Sequence, residues 1–427
     1  MLKKQSIRLG RLIKKTMRLR GGGSALPGLV VEKINPHFLQ NALEDLPRGV
    51  VVVSGTNGKT TTTKIIVQLL RAQGLKVFTN PSGSNFTRGI VSSLLSHVDD
   101  QGKLDADIAV LELDEAHAVH FVRLVAPRYT LVLNVLRDQL DRFGEIDHTA
   151  KLLAEVVKRT TDGVVLNRDD ELVRSLSVHV ERDKKLQYFG VDDSLFEFFP
   201  SDADLHGGKL KTSQPPHLNK NDVLLKKLKG NKATLAFGSK DLKPVTLKLD
   251  GVYNVLNAAA ALTLVRLIDG GKTPPDELLG ELSEVKPAFG RGEAVEIDSQ
   301  PLEIVLVKNP SGFRLSLKSY ADRPAATMIA INDLYADGRD MSWLWDVDFT
   351  ELASTNAPFV AGIRAYDMAL RLQYDEVEVG RIIPDVADCL NTFLSETSGP
   401  RRIYCTYTAM LALRRELAKT HKLEPIE

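Results

Sequence analysis

Val50-Val51-Val52-Val53-Ser54-Gly55-Thr56-Asn57-Gly58-Lys59-Thr60-Thr61 is the stretch from which the rest of the chain is read. Four consecutive valines have the composition of a parallel strand buried on both faces. The two glycines let backbone N–H groups approach an anion closely. A helix pattern follows, with Ile65, Ile66, Leu69 and Leu70 on one face of Lys64–Ala72. A helix N-terminus behind a glycine turn concentrates positive potential, a lysine there reaches terminal phosphates, and the next threonine hydroxyl ligates magnesium. Gly55, Thr56, Asn57, Gly58, Lys59, Thr60 and Thr61 are therefore read as a loop that binds ATP with Mg2+. Val53 stands where the general loop pattern has its first glycine, so only the shorter form Gly-Thr-Asn-Gly-Lys-Thr-Thr applies.

Working outward, strand-like runs recur at Val77–Thr79, Ile108–Leu113, Leu131–Leu133 and Val164–Leu166, with helix-like runs between them. This alternation predicts an α/β fold with helices on both sides of the sheet. Residues 195–250 are rich in lysine and carry Gly207-Gly208 and Pro215-Pro216, which reads as an insertion of short strands or loops. Val255–Ile268 is an alanine-rich helix. Strand-like runs restart after Gly290, at Leu302–Val307, Thr327–Ile331, Phe359–Ala361, Glu376–Val379 and Arg402–Tyr407. The expected organisation is a basic lead-in over 1–45, a central domain over 46–292 and a smaller α/β domain over 293–427.

The chain has 427 residues, 43% hydrophobic and 26% charged, an ordinary globular composition. Lys and Arg number 56 against 55 Asp and Glu, which argues against a general nucleic-acid binder. Cys389 and Cys405 are the only cysteines; both read as core thiols of a protein in a reducing cytoplasm. No run approaches the roughly 18 apolar residues of a membrane span. The first 20 residues hold Lys3, Lys4, Arg8, Arg11, Lys14, Lys15, Arg18 and Arg20, with no acid before Glu32. No apolar stretch of signal-peptide type follows them. Ile7, Leu9, Leu12, Ile13 and Met17 are helix-spaced, and two readings stand: a solvated surface helix, or a helix lying near anionic lipid or an anionic substrate.

Ile108-Ala109-Val110-Leu111-Glu112-Leu113-Asp114-Glu115 reads as a buried strand that delivers carboxylates beside the loop. Glu112 is the expected magnesium ligand, since a hard cation prefers oxygen. Asp114 and Glu115 read equally well as solvated turn acids.

These motifs, followed by Leu131-Val132-Leu133-Asn134 and the segment from Arg137 to Glu145, resemble the Mur ligase superfamily, which forms amide bonds by phosphorylating a carboxylate with ATP. The resemblance implies a central P-loop domain with a mostly parallel sheet and a smaller Rossmann-like α/β C-terminal domain. It implies adenine contacts from Asn254 and Asn257, within Tyr253-Asn254-Val255-Leu256-Asn257, and an ATP contact from Arg291, within Gly290-Arg291-Gly292-Glu293. Phe143 stands where related ligases usually have a histidine that helps hold a second magnesium. Val305 and Lys308 occupy the acid and histidine places of an Asp-x-x-His-x-Pro pattern.

The segment from Ile331 to Phe349, with both tryptophans in Trp343-Leu344-Trp345-Asp346, is similar to the signature of the MurT family. That resemblance implies ATP-dependent amidation of the D-glutamate α-carboxylate of lipid II to D-isoglutamine, with ammonia from a GatD-like glutaminase in a heterodimer. It implies that Asp346 completes the partner's Cys-His-Asp set, with Asp348 as nearest competitor and a helix-capping role as the alternative. It places the chain in the cytoplasm at the inner face of the membrane, where the basic N-terminus would touch lipid. Many members carry a four-cysteine zinc ribbon; residues 195–250 contain no cysteine, so no zinc is expected. The alternatives are an amino-acid-adding ligase of the folylpolyglutamate or MurE kind and a non-catalytic nucleotide-binding scaffold.

Overall fold

Alternate valines of β1 (Val50–Ser54) enter different cores: Val51 and Val53 face one, Val50 and Val52 the other. β1 is thus a central strand, as its unbroken apolar run predicts. The computed structural model describes residues 2–19, 25–80, 86–136, 146–199, 218–249, 252–286, 291–321, 323–353, 357–421 and 423. Among these, β2 (Val77–Thr79), β3 (Ile108–Glu112), β4 (Tyr129–Val132), β5 (Gly163–Asn167), β6 (Lys185–Val191), β7 (Val223–Lys229), β8 (Lys232–Phe237), β9 (Lys240–Asp241) and β10 (Val245–Thr246) join β1 in one sheet. Its order is β10-β8-β7-β6-β5-β4-β1-β3-β2, with β9 on β8. β1 pairs in parallel with both β3 and β4. The chain runs to one side of β1 through β2 and β3 and to the other through β4 to β6, which opens a crevice at the carboxyl end of β1. Helices Lys59–Ala72 and Val252–Asp269 pack on the Val51 face, and Phe38–Leu43, Thr87–Leu94 and Glu115–Leu124 on the Val52 face.

Within residues 195–250 the expected short strands form, and over residues 218–249 they extend the central sheet itself. β7 continues the sheet in parallel from β6, and β8 and β10 follow antiparallel. Val223, Leu225, Ala233 and Leu235 belong to the same core as Val51. Lysines on the outward positions of the β7–β8 hairpin mask its buried face in the sequence. Gly207-Gly208 and Pro215-Pro216 lie outside the described residues.

The second sheet contains β11 (Arg291–Ile297), β12 (Gln300–Leu306), β13 (Ala326–Ala330), β14 (Phe359–Ala361), β15 (Arg381–Ile382) and β16 (Arg401–Cys405), in the order β11-β12-β16-β13-β14-β15. It is parallel except for the β11–β12 hairpin, whose turn residues Asp298 and Ser299 take φ of 51° and 63°, as a two-residue hairpin of matching twist demands. The strand expected at Glu376–Val379 does not form. Glu376 takes φ 58° and the Val377 N–H returns to the Leu372 carbonyl, closing the Ala365–Tyr374 helix, so pairing moves to β15.

The basic N-terminal segment is the helix Leu2–Leu19, and it is docked rather than merely solvated. Ile7 is buried and Gly10 lies against Val31 and Leu95. Arg11 donates to the Leu95 carbonyl at 2.8 Å and Lys14 to that of Ser92 at 2.7 Å, while Arg8 and Arg11 both pair with Asp100. Leu9 and Leu12 face outward, 41% and 61% exposed.

Candidate active site

The helix Lys59–Ala72 starts directly behind the turn, and its cap residue, Gly58, sits at φ 88° with no side-chain cap. A Cβ on Gly58 would lie 2.4 Å from the Asn257 Oδ1, so glycine is required both by its φ and by that close approach. Asn134, two residues past β4, clamps the loop: its Oδ1 accepts from the Asn57 N–H at 2.8 Å and its Nδ2 donates to the Asn57 carbonyl at 3.0 Å. The Thr56 hydroxyl accepts from the Leu136 N–H at 3.0 Å and so braces the neighbouring loop.

Lys59 is buried, and its Nζ donates to the carbonyls of Gly55 at 2.5 Å and Thr56 at 3.3 Å. The Glu115 carboxylate lies 3.6 Å away and is only 3% exposed. Glu115 is therefore a buried counter-charge to Lys59, not a solvated turn acid. Asp114 holds the cap position of the Glu115–Leu124 helix, half-buried and without a side-chain capping bond. The Thr60 hydroxyl donates to Glu112 Oε1 at 2.9 Å. Asn80 fixes the Glu112 backbone through two bonds, accepting from its N–H at 3.0 Å and donating to its carbonyl at 2.9 Å.

The residues fit a phosphate group and a magnesium ion. The loop's helix end has no side-chain cap, the Thr61 hydroxyl beside it is buried without a hydrogen-bond partner, and a hydroxyl–carboxylate pair of hard oxygen donors stands next to the lysine. Among the described residues, no cluster of three or more His, Cys, Asp or Glu has metal-binding geometry.

The second sheet completes the site. Lys308 Nζ donates to the Thr56 carbonyl at 3.0 Å. The Asn309 and Asn57 amides exchange hydrogen bonds, and Asn309 Oδ1 also caps the Pro310–Tyr320 helix through the Gly312 N–H. A cavity of about 480 Å³ lies between the sheets, lined by Asn57, Asn134, Asn257, Lys308 and Arg314 among others. Asn257 thus reaches the cavity, while Asn254, 1% exposed, lies within 3.4 Å of it. Arg291 pairs through its backbone with Val305 at the start of β11, and its side chain falls outside the described residues, as do Phe143 and all of residues 137–145.

Lining the same cavity, the buried Asp170 accepts from the N–H groups of Val135 at 2.7 Å and Val173 at 3.0 Å, and burial pushes its carboxyl up to about 6. Sequence reasoning missed Asp170, Asn134 and Asn309 as organisers of the site. The signal available for Asn134 was a polar residue directly following a buried strand.

The Trp343-Leu344-Trp345-Asp346 segment forms a tight helical turn, Ser342–Asp346. Its tryptophans are not a buried pair: Trp343 is buried against Phe313, whereas Trp345 is 48% exposed and packs edge-to-face on Tyr374 at 5.1 Å. The buried Arg371 holds the turn from beneath, donating to the carbonyls of Leu344 at 3.2 Å and Val347 at 2.5 Å and pairing with Asp375. Arg314 donates to the Asp346 carbonyl. The Asp346 side chain is half-buried. Asp348 closes a local turn instead, accepting from the Thr350 N–H at 2.9 Å and hydroxyl at 2.6 Å, and these bonds hold its carboxyl below the usual range. Cys389 and Cys405 are both buried, and burial pushes the Cys389 thiol up to about 12 and raises that of Cys405 as well.

Comparison with known proteins identifies two family matches: the Mur ligase middle domain over residues 53–265 and the MurT ligase C-terminal domain over residues 306–410. The chain is 29% identical to the lipid II isoglutaminyl synthase (glutamine-hydrolyzing) subunit MurT of Streptococcus pneumoniae, over 93% of both chains. It is 30% identical to the protein of the same name from Staphylococcus aureus strain COL, over 88% of this chain and 89% of that one. UDP-N-acetylmuramoylalanine–D-glutamate ligase of Burkholderia cenocepacia is 26% identical over 87% of this chain and 67% of its own. Among solved structures, MurF from Acinetobacter baumannii superposes with a TM-score of 0.68 at 17% identity, covering 91% of this chain and 81% of that one. MurF from Thermotoga maritima, solved with ADP, does so at 0.64 and 20%, covering 92% and 85%.

Proposed function

The chain belongs to the MurT family of Mur ligases, and from that premise we propose that it is the synthase subunit of a lipid II isoglutaminyl synthase. It uses ATP to convert the α-carboxylate of D-glutamate in the lipid II stem to the amide of D-isoglutamine. The carboxylate oxygen attacks the terminal phosphorus of ATP, the bond to the ADP oxygen breaks, and an acyl phosphate forms. Ammonia then attacks the carbonyl carbon, phosphate departs with the electron pair of its C–O bond, and the nitrogen loses a proton.

Lys59 and the N–H groups of the Gly55–Thr61 loop hold the transferring phosphoryl group, with Glu115 fixing the Lys59 ammonium in place. Thr60 and Glu112 would hold a magnesium ion, which when bound neutralises phosphate charge. Asn257, with Asn254 beside it, and Arg291 serve the nucleoside end. The second sheet, seated on the loop through Asn309 and Lys308, keeps water from the acyl phosphate.

Ammonia comes from a GatD-like glutaminase bound to the C-terminal domain. Both cysteines of this chain are buried and held as thiols, unsuited to nucleophilic attack on glutamine. Asp346 serves the partner's Cys-His pair, and the exposed aromatic surface around it is the docking face. Trp345 and Tyr374 flank it, and Tyr366, Leu370 and Tyr374 form an exposed ladder along one face of Ala365–Tyr374. The outward Leu9 and Leu12, beside exposed Lys4 and Lys15, suit contact with the anionic leaflet that holds lipid II.

The observation that carries this reading is the joint presence of an organised phosphate loop and the Arg371-braced Trp-Leu-Trp-Asp turn in a chain that spans its MurT relatives almost end to end. The test supplies lipid II, ATP and isotopically labelled ammonia, and reads the stem peptide by mass spectrometry. Label in a D-isoglutamine amide supports it. Addition of an amino acid instead would move the chain to the amino-acid-adding ligases.

A further inference from the structure

We propose that Arg314 is a positioning residue that couples the nucleotide cavity to the turn bearing Asp346, exchanging its grip on that turn for one on a bound nucleotide. The proposal rests on the ATP and Asp346 readings above and adds the link between the two sites. One helix, Pro310–Tyr320, carries the parts. Its cap residue Asn309 is bonded to Asn57 of the phosphate loop. Phe313 packs edge-on against Trp343 and Phe349, with ring centroids 6.4 and 5.0 Å apart. Arg314, next in the chain, lines the cavity and donates to the Asp346 carbonyl. Asp348 and Glu351 line the same cavity, so the segment leaving Asp346 is part of its wall.

The two arginines that hold the turn differ in place. Arg371 is buried, pairs with Asp375 at 2.6 Å and is not among the residues that line the cavity. Arg314 is half-buried at the cavity wall, where an anion can reach it. A guanidinium bonds a charged oxygen roughly twice as strongly as a neutral carbonyl, so a phosphate group in the cavity outcompetes the Asp346 carbonyl for it. The same negative charge repels Asp348 and Glu351. Both forces act on one segment in one sense: the Asp346 turn loses its cavity-side brace and is pushed outward. Trp343 Nε1, buried in that turn, finds no acceptor among the described residues, so the present arrangement leaves the turn a donor to satisfy. Nucleotide binding thus favours one of two positions of the turn through contacts that differ between them, which is what coupling requires. Asp346 is thereby presented to the partner according to whether ATP is bound.

Both tryptophans of the chain lie in this turn, so tryptophan emission, excited where tyrosine does not absorb, reports on it alone. The test titrates the full chain with magnesium and a non-hydrolysable ATP analogue, following emission and calorimetric binding together. In the unmodified chain the emission should change along the binding isotherm. Arg314→Ala should weaken binding only roughly 3–30-fold, since the lost bond to phosphate is partly offset by the bond no longer given up at Asp346, and at saturation it should show no emission change. Arg314→Gln, which keeps an uncharged donor for the carbonyl, should also bind without the change. Binding without an emission change in the unmodified chain, or a full change in either variant, would overturn the coupling. So would abolished or unaltered affinity in both variants, which would make Arg314 a plain nucleotide ligand or a bystander. Failure of the unmodified chain to bind the analogue would instead overturn the ATP reading beneath it.

Discussion

Asn57 and Asn309 exchange side-chain hydrogen bonds at 3.2 and 3.0 Å, although 252 residues separate them in the chain. Asn57 belongs to the phosphate loop and Asn309 caps the first helix of the second sheet. One amide pair thereby sets how the C-terminal sheet sits on the loop, and it carries Lys308 to the loop's backbone.

Lys59→Ala should reduce ATP-dependent amidation at least roughly 100-fold, since a preorganised cation at the transferring phosphate is removed. The buried Glu115 would also lose its partner, so thermal stability is measured alongside. Normal turnover in a folded variant would remove Lys59 from the phosphate site.

Glu112→Gln should raise the magnesium concentration needed for half-maximal turnover roughly 10–100-fold. An amide is a poorer ligand for a hard cation, yet it still accepts from the Thr60 hydroxyl, so the strand end is preserved. An unchanged magnesium titration would shift the ligand role to another residue.

Asp346→Asn should separate the two nitrogen sources. Glutamine-dependent amidation should fall by roughly 10³-fold or more, because an amide cannot stabilise a charged imidazole, while amidation driven by free ammonia stays intact. The turn keeps the grips of Arg314 and Arg371 on its backbone carbonyls in this variant. A parallel fall of both activities would place Asp346 in the ligase site.

Asp170 carries a pH dependence of stability. Its carboxyl rises from 3.8 to about 6 on burial, so the folded state holds the proton more tightly than the unfolded one. Stability from this group is therefore greatest below the unfolded value, falls as pH rises toward about 6, and is flat above, by no more than about 3 kcal/mol in all. Denaturant titrations between those limits should show a shallower slope for Asp170→Asn than for the unmodified chain; identical slopes would contradict the account.

The parts of the site legible in the sequence are those whose signal is local. Four valines, a glycine turn and a threonine-rich helix start lie within a dozen residues and specify strand, loop and helix together. The far edge of the central sheet was hidden because β7 and β8 meet at a hairpin whose exposed positions, Lys227, Lys229 and Lys232, are lysines. Glu115 read as a surface acid because its partner, Lys59, lies on another strand's loop. Arg371 reads as an ordinary helix arginine, and only the folded chain shows that it holds the Trp-Leu-Trp-Asp turn by two carbonyls. Asn134 and Asn309 likewise acquire their roles from contacts that no periodicity encodes.

The central claim is that this chain activates a carboxylate with ATP on the Lys59 loop. Lipid II bearing heavy oxygen in the D-glutamate α-carboxylate, incubated with ATP, magnesium and ammonia, tests it most directly. The account predicts one labelled oxygen in the released phosphate for each amide formed. Amide formation with unlabelled phosphate, or phosphate release with no amide, would contradict it.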